Sequence, residues 1–215
     1  MNTEVPSGTL HSSVLSEALR RLLDLIASVF VLLLFSPFIA WIAWRIRRDS
    51  PGPAVFRQTR AGRDGHPFTL FKFRTMRTDA DPYGASPHGG DDPRLTQFGK
   101  WLREWSFDEL PQFWNVMRGD MTLVGPRPLY VEQAREWNER QRLRLCVKPG
   151  LTGLAQISGR GALTIEEKLE LDVQYVLSRS LLGDLRILWR TATGLRRGQD
   201  IYEVRYSKKE KIRGS

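Results

Sequence analysis

The pattern of apolar and polar positions divides the chain unevenly. Leu25–Trp44 is twenty residues without a charge, reading LIASVFVLLLFSPFIAWIAW. A straight helix of that length reaches roughly 30 Å, the thickness of a bilayer's hydrocarbon core. A signal peptide fits less well. Its apolar stretch would be shorter, and a small-residue cleavage site would follow in place of Arg45, Arg47 and Arg48. A buried core helix is the ordinary alternative, but few soluble helices are apolar on every face for so long. Arg20 and Arg21 precede the run and three arginines follow it, so both ends favour the cytoplasmic side. Midway sits Ser36-Pro37. Pro37 lacks an N–H and its ring crowds the carbonyl of Leu33, while the Ser36 hydroxyl can satisfy a carbonyl freed one turn back. The pattern favours a re-entrant helix over residues 20–48, broken at Ser36-Pro37, above a straight span with a mild kink. Residues 1–19 read as a flexible tail.

Ser50-Pro51-Gly52-Pro53 stops helix continuation. Ala54–Gln58 and Phe68–Phe73 are β-rich, with Asp64-Gly65 between them, which predicts a hairpin. Asp79–Pro93 holds three prolines, three glycines and four aspartates, so it is irregular: a loop over a site or a plain connector. Thr164 with Glu167 forms a capping box before Leu169, Val173 and Val176, which share a helical face; Gly183 is expected to end that run. Leu185, Leu188, Trp189 and Ala192 then make a second apolar stripe beside Arg186, Arg190, Arg196 and Arg197. Such a helix either lies in a membrane interface or packs on the core with a solvated basic face. Residues 204–215 form a basic C-terminal tail.

Composition narrows the choice. With 41% hydrophobic and 27% charged residues over 215 positions, the chain is globular, which excludes wholesale disorder and collagen-like repeats. A formal net charge of +9 calls for an anionic partner: nucleic acid, anionic lipid or a phosphorylated substrate. A single cysteine, Cys146, makes no intrachain disulfide and reads as a packed residue. His11, His66 and His88 are too dispersed for a histidine-rich zinc site or a serine–histidine triad.

The chemistry concentrates in Asp92–Pro128. Ser106–Glu109 reads as a capping box, in which Asp108 and Glu109 merely suit a helix start. The functional reading is that a helix start gathers phosphate, Asp108 is held there as the anion and attacks phosphorus to give an acyl phosphate, and Glu109 helps to hold Mg²⁺. Arg94, Arg103, Arg118 and Arg127 surround the pair in sequence, and guanidinium forks match phosphate. Arg127 is preorganised between Pro126 and Pro128. Lys148-Pro149-Gly150-Leu151-Thr152-Gly153 and Ser158-Gly159-Arg160-Gly161 are glycine-bearing turns, and neither is a Walker A loop or a dinucleotide fingerprint.

Taken together these stretches resemble the bacterial sugar transferases, the monotopic polyprenyl-phosphate phosphoglycosyltransferases that start glycan assembly. The resemblance runs from about Arg21 to Tyr202. It rests on Ser50-Pro51-Gly52-Pro53, Lys72-Phe73-Arg74-Thr75-Met76, Asp92-Pro93-Arg94, Asp108-Glu109-Leu110-Pro111-Gln112, Leu123-Val124-Gly125-Pro126-Arg127-Pro128 and Lys148–Gly153, in that order, and on the Ser36-Pro37 break. It implies an α+β fold, mostly helical with a short β-hairpin, with residues 49–203 as a catalytic domain on the cytoplasmic face of the bacterial inner membrane. It implies transfer of a sugar 1-phosphate from a UDP-sugar to undecaprenyl phosphate, with Mg²⁺ required. Asp108 would be the nucleophile and metal neighbour, Glu109 a metal ligand or assisting carboxylate. Arg103, Arg127 and Pro126 would form the phosphate site, with Lys72 and Arg74 lining it. The sugar and the oligomeric state stay open. The rival class is a membrane-anchored basic scaffold or nucleic-acid-binding protein; it leaves the carboxylate pair unexplained, and no aromatic residues interleave a basic stripe.

Overall fold

The computed structural model describes residues 14–81, 84, 87 and 89–194. The expected C-terminal tail, Tyr202 at the end of the resemblance, and Arg196 and Arg197 lie outside them. Two helices open the described chain, α1 (Val14–Leu34) and α2 (Ser36–Asp49). They are bent by 62° about Phe35. Ser36 Oγ donates to the Leu33 carbonyl at 2.8 Å, the satisfaction that the proline break requires. Among the described residues no single helix is long and apolar enough to cross a membrane, whereas this bent pair passes that test together.

The segment expected to be a tail is helical from Val14, because ion pairs fix its first turns. Arg179 bonds Glu17 at 2.6 Å, and Arg20 Nε bonds Asp184 at 2.7 Å. One turn on, Arg21 donates to the last carbonyls of a later helix, at Val116 and Met117, and Asp24 accepts from Leu123 N–H and the Thr122 hydroxyl. The inward stripe of α1 is therefore polar, and Leu22, Ile26, Phe30, Leu33 and Leu34 point outward and are exposed. That is the reverse of a helix on a soluble core.

The hairpin follows as β1 (Val55–Ala61) and β2 (Pro67–Phe73), antiparallel with Phe56 opposite Lys72 and Gln58 opposite Leu70. Asp64 and Gly65 both take positive φ at its tip, the backbone that an Asp-Gly turn favours. Next come α3 (Gln97–Glu104), α4 (Gln112–Arg118) and β3 (Thr122–Val124), then α5 (Val131–Arg135), α6 (Glu139–Arg142), β4 (Gly150–Thr152), α7 (Leu154–Ser158), α8 (Ile165–Ser178) and α9 (Leu181–Gly194). The short strands β3 and β4 pair in parallel. Glycine is required where they meet: a Cβ on Gly150 would lie 2.0 Å from the Gly125 nitrogen.

Two apolar cores hold these elements. Ile42, Ile46, Ala54, Phe73 and Leu102 form one, between α2, the hairpin and α3. Leu70, Val116, Met121, Leu123, Val124, Tyr175, Val176 and Ile187 form the other. Strand β2 thus gives Leu70 to one core and Phe73 to the other, and Lys72 lies between them. The Thr164–Glu167 capping box is present at the start of α8. The break after α8 comes at Arg179-Ser180, and Gly183 lies inside α9. The reason is local: the Ser180 hydroxyl accepts the Gly183 N–H and restarts the helix. Along α9, Asp184 and Ile187 face inward and Leu188 packs on the core, whereas Leu182, Leu185, Trp189 and Ala192 are exposed.

Candidate active site

Asp108 and Glu109 sit in a single 3-10 turn, Phe107–Glu109, and not at the start of an α-helix. Ser106 adopts the left-handed conformation with φ of 56° and caps nothing, so the expected capping box is absent. The helix cap in this region belongs to Thr96, whose hydroxyl accepts the Gly99 N–H at the start of α3. The cause of the delay is Pro111, which fits at the entry of α4 where no N–H is needed. Behind the turn, Phe107 packs edge-on against Phe38 of α2 at 5.1 Å, and Trp101 and Phe98 extend that aromatic contact to Trp41. The second limb of the bent pair therefore supports the backbone that carries the carboxylates.

Asp108 is only 7% exposed. Burial, and then the charge of Glu109, push its carboxyl up to about 6 against the pull of Lys72, Arg103 and Arg127. The aspartate is therefore not at the helix start expected for it, and burial raises its carboxyl above the ordinary range. For Glu109 burial also acts upward, but Arg127 and Lys72 outweigh it, and the side chain stays below its ordinary range. Arg127 Nη2 donates to Glu109 Oε1 at 2.8 Å. Lys72 is lowered to about 8, by burial first and by Arg127 second. The result is a carboxylate pair within a ring of cations drawn from β2, α3 and the loop after β3.

The remaining candidates separate. Arg103 stays beside Asp108, with its Nε donating to Thr75 Oγ1 at 2.9 Å. Pro126 accepts the Gly150 N–H through its carbonyl, which pins the Arg127 loop to β4. Arg74 does not join the group. Its guanidinium caps the end of α2, donating to the carbonyls of Pro51, Ser50 and Ile46. Arg94 binds Asp92 at 2.6 Å, and Arg118 lies 3.5 Å from Asp120 at the far end of α4. Residue numbers alone miss two contributors. Arg160, with φ of 43°, brings its charge to Glu109 from the turn after α7. Arg144 pairs with Asp172 in the interior at 2.7 Å and donates to the Arg127 carbonyl, holding the loop from behind. Only the Ser158–Gly161 turn hinted at the first, and nothing local marks the second.

Among the described residues no cluster of three or more metal-type side chains is present. Asp108 and Glu109 nevertheless fit Mg²⁺, which takes one or two carboxylates and completes its shell with water and substrate phosphate oxygens. Burial is the first cause of the raised Asp108 carboxyl and the charge of Glu109 the second, and a divalent cation would relieve that second, repulsive part.

Comparison with known proteins identifies the family. The family model described as "Bacterial sugar transferase" matches residues 15–198. The chain is 43% identical over 197 residues to the sugar transferase EpsL of Bacillus subtilis (strain 168), covering 92% of this chain and 96% of that one. It is 43% identical over 189 residues to the UDP-glucose:undecaprenyl-phosphate glucose-1-phosphate transferase of Caulobacter vibrioides, covering 82% of this chain and 69% of that relative. It is 35% identical over 202 residues to the undecaprenyl-phosphate galactose phosphotransferase of Salmonella typhimurium, covering 87% of this chain but 42% of that longer protein. A match over nearly all the described residues, the carboxylate pair and its cations included, makes this chain a member of the bacterial sugar transferase family.

Proposed function

We propose that the chain transfers a sugar 1-phosphate from a UDP-sugar to undecaprenyl phosphate and releases UMP, with Asp108 carrying the phosphosugar between the two substrates. The observation that carries this reading is the buried Asp108 carboxylate inside the ring of Lys72, Arg103 and Arg127. Such a pocket draws in a diphosphate and leaves one carboxylate to attack it. Asp108 attacks the β-phosphorus, and its bond to the bridging oxygen breaks. The lipid phosphate then attacks the same phosphorus, which regenerates Asp108. Glu109 and Asp108 would hold Mg²⁺, which would supply charge neutralisation for the diphosphate. Arg127 exchanges its present partner Glu109 for the substrate phosphate. Lys72, at about 8, stays largely cationic at neutral pH and offsets charge on the same group.

The outward apolar face of α1, the 62° bend and the exposed Leu182, Leu185 and Trp189 beside Arg186 and Arg190 on α9 support a monotopic seat on the bilayer. In this reading the bent pair is re-entrant, and residues 49–203 act at the cytoplasmic face of the inner membrane. A glucose donor and a galactose donor are both named among the relatives, so the sugar is left to experiment. UMP release, measured with purified protein, undecaprenyl phosphate and Mg²⁺ over a panel of UDP-sugars, tests the proposal. UMP should appear with at least one donor and depend on the lipid for repeated turnover. Silence across the panel, or turnover without a lipid acceptor, would reject it.

A further inference from the structure

Resting on that reading of the reaction, we propose that Arg60 binds the phosphate of the departing nucleotide, so that Arg127 and Arg60 divide the donor's diphosphate between them. The hairpin register places Phe56 opposite Lys72, Gln58 opposite Leu70 and Arg60 opposite Phe68. Opposed residues share a face of an antiparallel pair, so Gln58 and Arg60 lie on the same face as Lys72. Arg60 is one of the charges that bear on the Lys72 ammonium, which itself neighbours Asp108 and Glu109.

Arg60 is held in place before any ligand arrives. Its Nε and Nη2 both donate to Gln58 Oε1, at 3.1 and 2.5 Å, and its guanidinium lies 3.7 Å from the centre of the Tyr130 ring. Gln58 is 5% exposed, and its Nε2 donates to the Tyr130 hydroxyl at 3.3 Å. Tyr130 is fixed in turn, since its backbone N–H donates to Gln133 Oε1 at the start of α5. The end of β1 is tied to the Arg127 loop directly, through Ala61 N–H and the Leu129 carbonyl at 2.9 Å. Arg60 and Arg127 thus belong to one wall, on backbone segments that cannot drift apart independently.

The chemistry gives this second guanidinium a task. As an Asp108 oxygen bonds to the β-phosphorus, the bond from that phosphorus to the bridging oxygen breaks. The electron pair stays on the bridging oxygen, which becomes a terminal oxygen of UMP, and the leaving group gains a negative charge with no proton supplied. A guanidinium is always charged and its planar donors match phosphate, so one held close to the leaving group stabilises this charge. Arg127, bonded to Glu109, serves the transferred phosphate beside the carboxylates.

The test uses the full chain in detergent or nanodiscs, with Arg60→Ala, Arg60→Lys and Arg60→Gln. The affinity of each is measured for UMP and for uridine, alongside the rate of the first UMP release and the KM for undecaprenyl phosphate. Arg60→Ala should weaken UMP at least about tenfold and slow its release, leaving uridine affinity and the lipid KM unchanged, with Arg60→Lys in between. Unchanged UMP affinity would overturn the assignment, and so would a parallel loss of UMP and uridine, because a phosphate contact is absent from uridine. If Arg60→Ala shows no thermal transition, Arg60→Gln carries the same comparison. A wild-type protein that releases no UMP from any UDP-sugar defeats the proposed reaction itself. A competent wild type matched by its Arg60 variants defeats this assignment alone.

Discussion

Replacing Asp108 by asparagine is expected to stop the reaction and, at neutral pH without metal, to make the protein more stable. The carboxyl stands at about 6 in the fold against 3.8 for the ordinary side chain. At ~1.4 kcal/mol per pH unit, ionised Asp108 costs the folded state on the order of 3 kcal/mol. The sign follows from proton binding. Between 3.8 and about 6 the folded chain holds a proton that the unfolded chain has released, so stability falls as pH rises through that window and stays lower above it. Asparagine keeps the shape and removes the charge. Thermal unfolding in EDTA at pH 7.5 should rise by roughly 6 °C or more, taking roughly 2–4 °C per kcal/mol for a chain of this size. At pH 5 the gain should shrink to about half, because the wild-type group is then largely protonated. Loss of stability in the asparagine variant, or the same gain at both pH values, would refute the claim that burial of the anion is what raises this carboxyl.

Arg127→Lys keeps the charge but loses the fork that now meets Glu109 at 2.8 Å. Turnover should fall at least about tenfold, or ~1.4 kcal/mol of transition-state stabilisation, and near-normal turnover in a folded variant would reassign the residue to structure. Replacing Ser36 and Pro37 by Leu and Ala removes a kink worth roughly 3 kcal/mol to a straight helix and should shift the bent pair toward spanning. Single cysteines at Leu10 and Asp64, in a Cys146→Ser background, should both resist an impermeant thiol reagent in intact cells. Labelling at position 10 in the parent would contradict the re-entrant topology, whereas labelling there only after the Leu-Ala replacement would support it.

Local chemistry was legible in the sequence, and long-range partnership was not. The Asp64-Gly65 turn, the Thr164–Glu167 box and the Ser36-Pro37 break each depend on neighbours within a few residues, and each takes the expected form. Ser106 failed as a cap because Pro111 moves the helix entry downstream, a competition that the capping pattern alone does not register. Arg74 carries a motif but spends its guanidinium on the end of α2, which only the fold brings near. The buried pairs Arg20–Asp184 and Arg144–Asp172 join residues far apart in sequence, so nothing at either position announces the other. At the candidate site the adjacent carboxylates of Asp108 and Glu109 stand out in the sequence itself. The burial that raises Asp108, and the opposing charges of Lys72 and Arg127, which come from separate elements, are set by the fold.

In the proposed reaction Asp108 holds the phosphosugar between two substrates that need not be present together. The most direct measurement mixes enzyme, Mg²⁺ and the accepted UDP-sugar with no lipid, then follows both released UMP and the mass of the protein. UMP is expected at up to one equivalent per active site, with a mass gain of one phosphosugar that maps to Asp108, and neither in Asp108→Asn. UMP that appears only once undecaprenyl phosphate is added, with no adduct on the protein, would contradict that expectation and favour direct attack by the lipid phosphate.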